Sequence, residues 1–226
     1  MSSMLTGCSE NATTSAEDTS VSETVENGKD AGEENSSNTD DLTNTTTLLD
    51  EELTYYADIE IADYGTITVC LDQKSAPITV ANFVGLAESG FYDGLTFHRI
   101  MEDFMMQGGD PDGNGTGGSE NTIVGEFAVN GYDNNLSHTR GAISMARAMD
   151  YDSASSQFFI VHEDSTFLDG QYAVFGYVTE GLEVVDAVCE SAEPVDDNGT
   201  IVAEEQPVII SITIRTEQIE NIQSED

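Results

Sequence analysis

One arginine, Arg99, stands in the stretch "FHRIMEDFMMQGG" between Phe97-His98 and the apolar run Phe104-Met105-Met106. Cations are scarce in this chain, with 6 Lys and Arg against 44 Asp and Glu in 226 residues. Three chemistries are open to an arginine in such company. It can snorkel at the surface, clamp a phosphate, or serve as the single polar tool of an apolar pocket.

The neighbouring constellations narrow the chemistry. The tail "GGDPDGNGTGG" lacks the Lys and Ser/Thr of a phosphate-binding loop, and its aspartates repel phosphate. It approaches a calcium loop, with Asp110, Asp112 and Asn114 alternating. However, the twelfth place is Asn121, Glu120 falls one residue early and Pro111 intrudes. A structural loop bent around a pocket, with glycines supplying positive φ, is the better reading. No metal or cofactor is called for. His98, His138 and His162 are isolated in sequence, read as satisfied structural residues, and Ser144 lies inside a strand pattern rather than a nucleophile elbow. Cys8, Cys70 and Cys189 are too few and too scattered for a disulfide framework or a zinc site, and spacing leaves open whether Cys70 and Cys189 pair.

The elements that must hold these residues can be read from periodicity. Two alternating runs flank Asp63-Tyr64-Gly65, a strand–turn–strand signal. A helix begins at Pro77, carries Val80, Phe83, Val84 and Ala87 on one face and stops before Gly90. Further strands are expected at 95–100, 104–107, 142–146, 157–161, 173–178 and 207–215, with a short helix at 182–189. Many short strands, glycine-rich turns and two helices predict a mainly β protein, an antiparallel barrel with helices capping its ends.

Outside this part, residues 1–52 read as an N-terminal segment and a linker of Ser, Thr, Asn, Asp and Glu, too polar to offset backbone entropy and expected to be disordered. The ordered domain is expected over 53–216 and an acidic tail over 217–226. A formal net charge of −38 argues against nucleic acid and anionic membrane surfaces as partners.

Taken together, "FHRI", "FMMQGGD", "NGTGG", "SMA", "SQFFI" and "LDGQYAVFG" occur in an order and spacing that resembles the cyclophilin family of peptidyl-prolyl cis/trans isomerases, over about residues 56–216. The resemblance implies an eight-stranded antiparallel β-barrel capped by two helices, acting on X–Pro segments of folding proteins as a monomer. It implies a proline slot made by Phe104, Met105, Phe159 and Leu168, with Gln107 and Gln157 as polar anchors and the Ala146-Arg147 backbone as the edge that holds the substrate chain. Arg99 matches the catalytic arginine, with Phe104 and Gln107 beside it. Thr116, Phe167 and Tyr172 fall at further substrate-binding positions. Animal cyclophilins commonly carry Trp where Phe167 stands, His where Tyr172 stands and often Asn at Arg147. These departures imply weaker binding of a cyclosporin-type inhibitor and altered contacts at the substrate edge. They leave the reaction in place.

The opening "MLTGCSE" resembles the lipobox of bacterial lipoproteins, in which a cysteine, here Cys8, takes a lipid. A basic region and an apolar run are then expected upstream of Met1. The combined expectation is an extracytoplasmic bacterial isomerase tethered by lipid to the cell membrane. The rival readings are a cyclophilin-fold module that binds proline peptides with little turnover, and a structural surface lipoprotein.

Overall fold

Alternation in the first strand sets the frame. The computed structural model describes residues 48–219. In β1 (Leu53–Ile61), Tyr55, Ala57, Ile59 and Ile61 are buried while the residues between them face outward. β1 pairs with β2 (Gly65–Leu71) through a turn in which Asp63 takes φ 66°. α1 (Pro77–Glu88) follows, then β3 (Thr96–Met101), β4 (Met105–Asp110), β5 (Ala142–Met145), β6 (Phe158–Val161), β7 (Val174–Glu180), α2 (Leu182–Ser191) and β8 (Ile209–Gln218).

All pairings are antiparallel, in the order β3-β4-β6-β5-β7-β2-β1-β8. The sheet curls until its two edges meet along a short seam. There Thr96 bridges Val208, the Ile209 N–H donates to the Leu95 carbonyl at 2.8 Å, and the Phe97 N–H donates to the Pro207 carbonyl at 2.9 Å. The expected mainly β architecture, eight strands and two helices, is what forms.

Inside the curl, Phe83 of α1 packs against Tyr92, Phe158 and Phe175, with ring centroids 5.2–5.5 Å apart. The predicted helix face, Val80, Phe83, Val84 and Ala87, is buried throughout. α2 covers the sheet with Val184, Val185, Val188 and Cys189. The central strands bury both faces, which is why "QFFIV" reads as an unbroken apolar run. Phe158, Ile160 and Met106 enter the main core, whereas Met105, Phe159 and Val161 form a second apolar cluster on the outer face.

Helix α1 has no local cap, because the residue before it is Ala76. The N–H groups left free in its first turn are satisfied from a distance. The buried Glu126 carboxylate accepts from the Ile78 N–H at 3.1 Å, the Thr79 N–H at 2.8 Å and the Thr79 hydroxyl at 2.7 Å. A carboxylate at a helix N-terminus is favoured by both the free donors and the helix dipole.

Several expectations need adjustment. β4 starts at Met105, not at 104, because Asp103 (φ 61°) and Phe104 belong to the tight turn after β3, where the Phe104 N–H bonds the Met101 carbonyl. β8 runs through Glu217 and Gln218, opposite Thr54 and Leu53, so the strand reaches two residues into the segment read as a tail. At the other end, Gln73 Nε2 donates to the carbonyls of Asp50 (3.0 Å) and Leu53 (2.7 Å), which docks the last linker residues onto the domain. The rest of the linker, Cys8 included, lies outside the described residues. Cys70 and Cys189 are free thiols.

The histidines were read as satisfied, and one is not. Both ring nitrogens of buried His98 lack a partner. His138 and His162 are bonded, to Asp169 and to the Asp103 N–H respectively.

Candidate active site

The register aligns Arg99 with Gln107, Gln107 with Phe159, and Phe159 with Ser144, a single row across β3, β4, β6 and β5. Residues in one row share a face of the sheet. Arg99 and Phe159, 60 positions apart in sequence, are thereby brought together by strand pairing alone.

Around that row lies a cleft of about 270 Å³ lined by Arg99, Phe104, Met105, Gln107, Ala146, Arg147, Phe159, Leu168 and Tyr172. Every one of these was singled out in the sequence. The floor is apolar and buried: Met105 and Phe159 are 1% and 5% exposed. The Phe159 ring stacks 5.8 Å from His138 and meets Tyr172 edge-on at 6.1 Å. Phe167 is absent from this lining. It stands at the rim, 67% exposed, with its ring 5.7 Å from Phe104.

The polar side of the cleft is a one-way chain of hydrogen bonds. Arg99 Nη1 donates to Gln107 Oε1 at 3.2 Å, Gln107 Nε2 donates to Gln157 Oε1 at 2.9 Å, and Gln157 Nε2 donates to the Gly117 carbonyl at 2.7 Å. Each amide is oriented by the donor before it. Arg99 Nε is held by the Asn198 carbonyl at 2.7 Å, and the guanidinium lies 5.9 Å over the Phe104 ring. The other contacts of its terminal nitrogens go to thioether sulfurs, Met105 Sδ at 3.8 Å and Met101 Sδ at 3.3 Å. Sulfur is a weak acceptor, so these donors are held in place yet available. Burial draws the Arg99 pKa below the ordinary arginine range, with Tyr172 and Asp196 acting the other way. The guanidinium still carries its charge at neutral pH.

A second, more polar cleft of about 360 Å³ adjoins the first and shares Gln107, Ala146 and Arg147 with it. Thr116 with Gly115, Gly117 and Gly118 on one side, and Ala148, Ser153, Ser155 and Gln157 on the other, complete its wall. The glycine-rich loop owes its shape to Asp110, whose carboxylate accepts from the N–H groups of Asp112 (2.8 Å), Asn114 (3.0 Å) and Gly115. Gly113 and Gly115 take φ 62° and 90°, and a Cβ at Gly117 would collide with Asp110.

A hydrogen-bonded relay without a sequence signature runs beneath the cleft, from the exposed Asp169 to the buried His138 and Ser144. Asp169 accepts from His138 Nδ1 at 2.8 Å, and His138 Nε2 meets Ser144 Oγ at 3.0 Å. Asp169 also accepts from the His138 N–H at 2.7 Å and the Ser137 hydroxyl at 2.6 Å. His138 and Ser144 have no exposed surface. No substrate reaches that serine, so the relay serves to fix His138 behind Phe159. Nothing in the sequence pairs residues 138, 144 and 169, since the contact depends on the loop before β5 folding onto the one before β7.

Comparison with known proteins agrees with the geometry. Residues 56–214 match the family model of the cyclophilin type peptidyl-prolyl cis-trans isomerases. The chain is 47% identical over 145 residues to a peptidyl-prolyl cis-trans isomerase of Helicobacter pylori (strain J99), covering 62% of this chain and 86% of the relative. It is 50% identical over 123 residues to peptidyl-prolyl cis-trans isomerase B of Bacillus subtilis (strain 168), covering 54% and 82%. A crystal structure of a Cryptosporidium parvum cyclophilin type isomerase, determined in the presence of the dipeptide Ala-Pro, superposes with a TM-score of 0.63 at 29% identity, over 72% of this chain and 99% of that one. On fold, cleft and sequence alike, the chain belongs to the cyclophilin-type peptidyl-prolyl cis-trans isomerase family.

Proposed function

We propose that this isomerase acts on X–Pro bonds of proteins folding outside the cytoplasm, with Arg99 as its catalytic group and a lipid on Cys8 holding it at a membrane. Rotation about an X–Pro bond must break amide resonance against a barrier of about 18–20 kcal/mol, and unaided it takes tens to hundreds of seconds. No nucleophile and no proton transfer are needed. The proline ring enters the apolar cleft over Met105 and Phe159, and the preceding chain lies along the Ala146-Arg147 edge. As the amide twists, its nitrogen loses conjugation and becomes an acceptor.

The observation that carries the role of Arg99 is its pattern of partners. Nε is anchored by a carbonyl and Nη1 by Gln107, while the remaining terminal contacts go to sulfur. A donor exchanging a thioether for a developing lone pair gains far more in the twisted state than in the planar one, which is the condition for acceleration. The extracytoplasmic and lipid-anchored reading is supported by "LTGC" standing ahead of a long polar stretch.

The direct test is NMR exchange between the cis and trans forms of a short proline peptide, with the protein at catalytic concentration. Exchange well above the spontaneous rate is expected. A peptide that binds but exchanges at its spontaneous rate would replace this reading with a proline-binding module.

A further inference from the structure

Among the described residues, Arg140 and Arg215 are paired with Asp186 and Asp58, whereas Arg99 and Arg147 have no carboxylate within ion-pair distance. Lys74 lacks such a partner too, but the two unpaired arginines stand on the same pair of adjoining clefts. No Asp or Glu lines either cleft.

Arg147 is held with care. Its Nε and Nη2 donate to the Gln171 carbonyl at 3.1 and 2.9 Å, and Nη1 donates to the Ala148 carbonyl at 2.9 Å. Its guanidinium lies 4.7–5.1 Å from the ring centroids of Phe127, Tyr151 and Tyr172. Three of its five N–H groups are used, leaving one on each terminal nitrogen. The head group is fixed, charged and unneutralised at the wall shared by the two clefts. Across that wall, Thr116, Ser153, Ser155 and Gln157 offer hydroxyl and amide groups.

We infer that the second cleft selects a carboxylate side chain, Asp or Glu, one or two residues from the proline, and that Arg147 is the specificity-determining residue. The inference rests on the first cleft holding the proline. An extended chain advances about 3.3 Å per residue, so a side chain in the adjoining cleft belongs to a near neighbour of that proline. The preference runs against the bulk charge, which by itself would draw cationic peptides. The Asp112 carboxylate stands behind Gly117 in the cleft wall and also opposes the preference, while more distant carboxylates are screened within about 8 Å at physiological salt, and the direct Arg147 contact prevails.

The test uses short peptides of one sequence with Glu, Gln or Lys placed one and two residues to either side of the proline, each followed by NMR exchange and by titration. At one of these positions Glu should exceed Gln in kcat/KM by about 5-fold, the order expected of a half-exposed ion pair, and Lys should fall below Gln. The Glu-to-Gln ratio should shrink as salt rises from about 20 to about 500 mM. Arg147→Met should bring the ratio to about one whatever it does to the absolute rates, and Arg147→Lys should keep part of it. Equal rates for Glu and Gln at every position, a preference for Lys, or a ratio that survives Arg147→Met overturns the inference, and the salt series on the unaltered protein decides it even if the variants fold poorly. If no peptide is isomerised, the proline-cleft reading itself has failed. The charge preference is then judged on Kd, where equal affinity for Glu and Gln rejects it.

Discussion

Arg99 Nη1 and Gln107 Oε1 are 3.2 Å apart across the β3–β4 pair, and the register places the two residues directly opposite each other. Gln107 cannot rotate its amide without losing Gln157 as well. The arginine is thus aimed by a neighbour that is itself aimed.

From that arrangement, Arg99→Ala should lower kcat/KM by about 10²–10³, or roughly 2.7–4 kcal/mol, by analogy with loss of one donor from an oxyanion hole. Binding of a ground-state proline peptide should weaken far less. Arg99→Lys should rescue only in part, because a point charge on a flexible stem does not reproduce the planar fork. Circular dichroism checks that the fold persists. Full activity in Arg99→Ala would remove the catalytic assignment.

Helix α1 gives a stability test that alters no residue lining either cleft. Glu126→Ala leaves two backbone donors and a buried hydroxyl unpaired, at a cost of about 2–4 kcal/mol. For a domain of this size that is a fall in Tm of roughly 5–15 °C by calorimetry. Isomerase activity per folded molecule should stay near normal at low temperature, and an unchanged Tm would show that the cap contributes nothing.

Stability should rise with pH. Burial pushes the His98 and His138 imidazoles down, against the opposing pull of Asp110 and Asp169. Burial alone would raise the Asp110 carboxyl, but the N–H groups of Asp112, Asn114 and Gly115 outweigh it and hold the carboxyl below its usual range, and the Arg215 hydrogen bond does the same for Asp58. All four groups bind protons more tightly in the unfolded chain. Their stabilisation is therefore complete above about pH 6.5, begins to fall as unfolded imidazoles take protons, and falls further below about pH 4 with the carboxylates. Urea midpoints at about pH 7.5, 5.5 and 3.5 should decline in that order. His98→Phe should flatten the first step.

Phe167 offers an exposed ring at the rim and no N–H. A cyclosporin-type inhibitor should bind more weakly here than to animal cyclophilins, and Phe167→Trp should tighten inhibition by roughly 0.5–1.5 kcal/mol, one hydrogen bond, with turnover little changed. Inhibition that does not respond to this change would count against the rim placement.

Lipid attachment is tested in cells. With the upstream reading frame included, the protein should fractionate with membranes, and Cys8→Ala should release it. A stop codon directly upstream, with no basic and apolar run, would end this reading.

What could be read from the sequence follows from the range of the interactions involved. Alternation in β1, Pro77 at the head of α1 and Gly90 beyond its end are local signals, and the elements form where those signals stand. The nine residues that line the first cleft were legible because six short blocks stand in a family's order. Glu126 as a cap, the Asp169–His138–Ser144 relay and the rings of Phe127 and Tyr151 around Arg147 were not. Each joins residues whose proximity is created by the finished fold. His98 shows the opposite failure, since a buried imidazole without partners breaks the rule by which it was read as satisfied.

Leu53, at the start of β1, pairs with Gln218, at the end of β8. The domain therefore begins and ends at one spot. Force applied between those two residues would open the β1–β8 ladder rung by rung, as a zipper, instead of loading all its hydrogen bonds together. The same closeness means that a few residues could join 218 to 53 and new termini be cut in an exposed loop, giving a circularly permuted domain with both clefts intact.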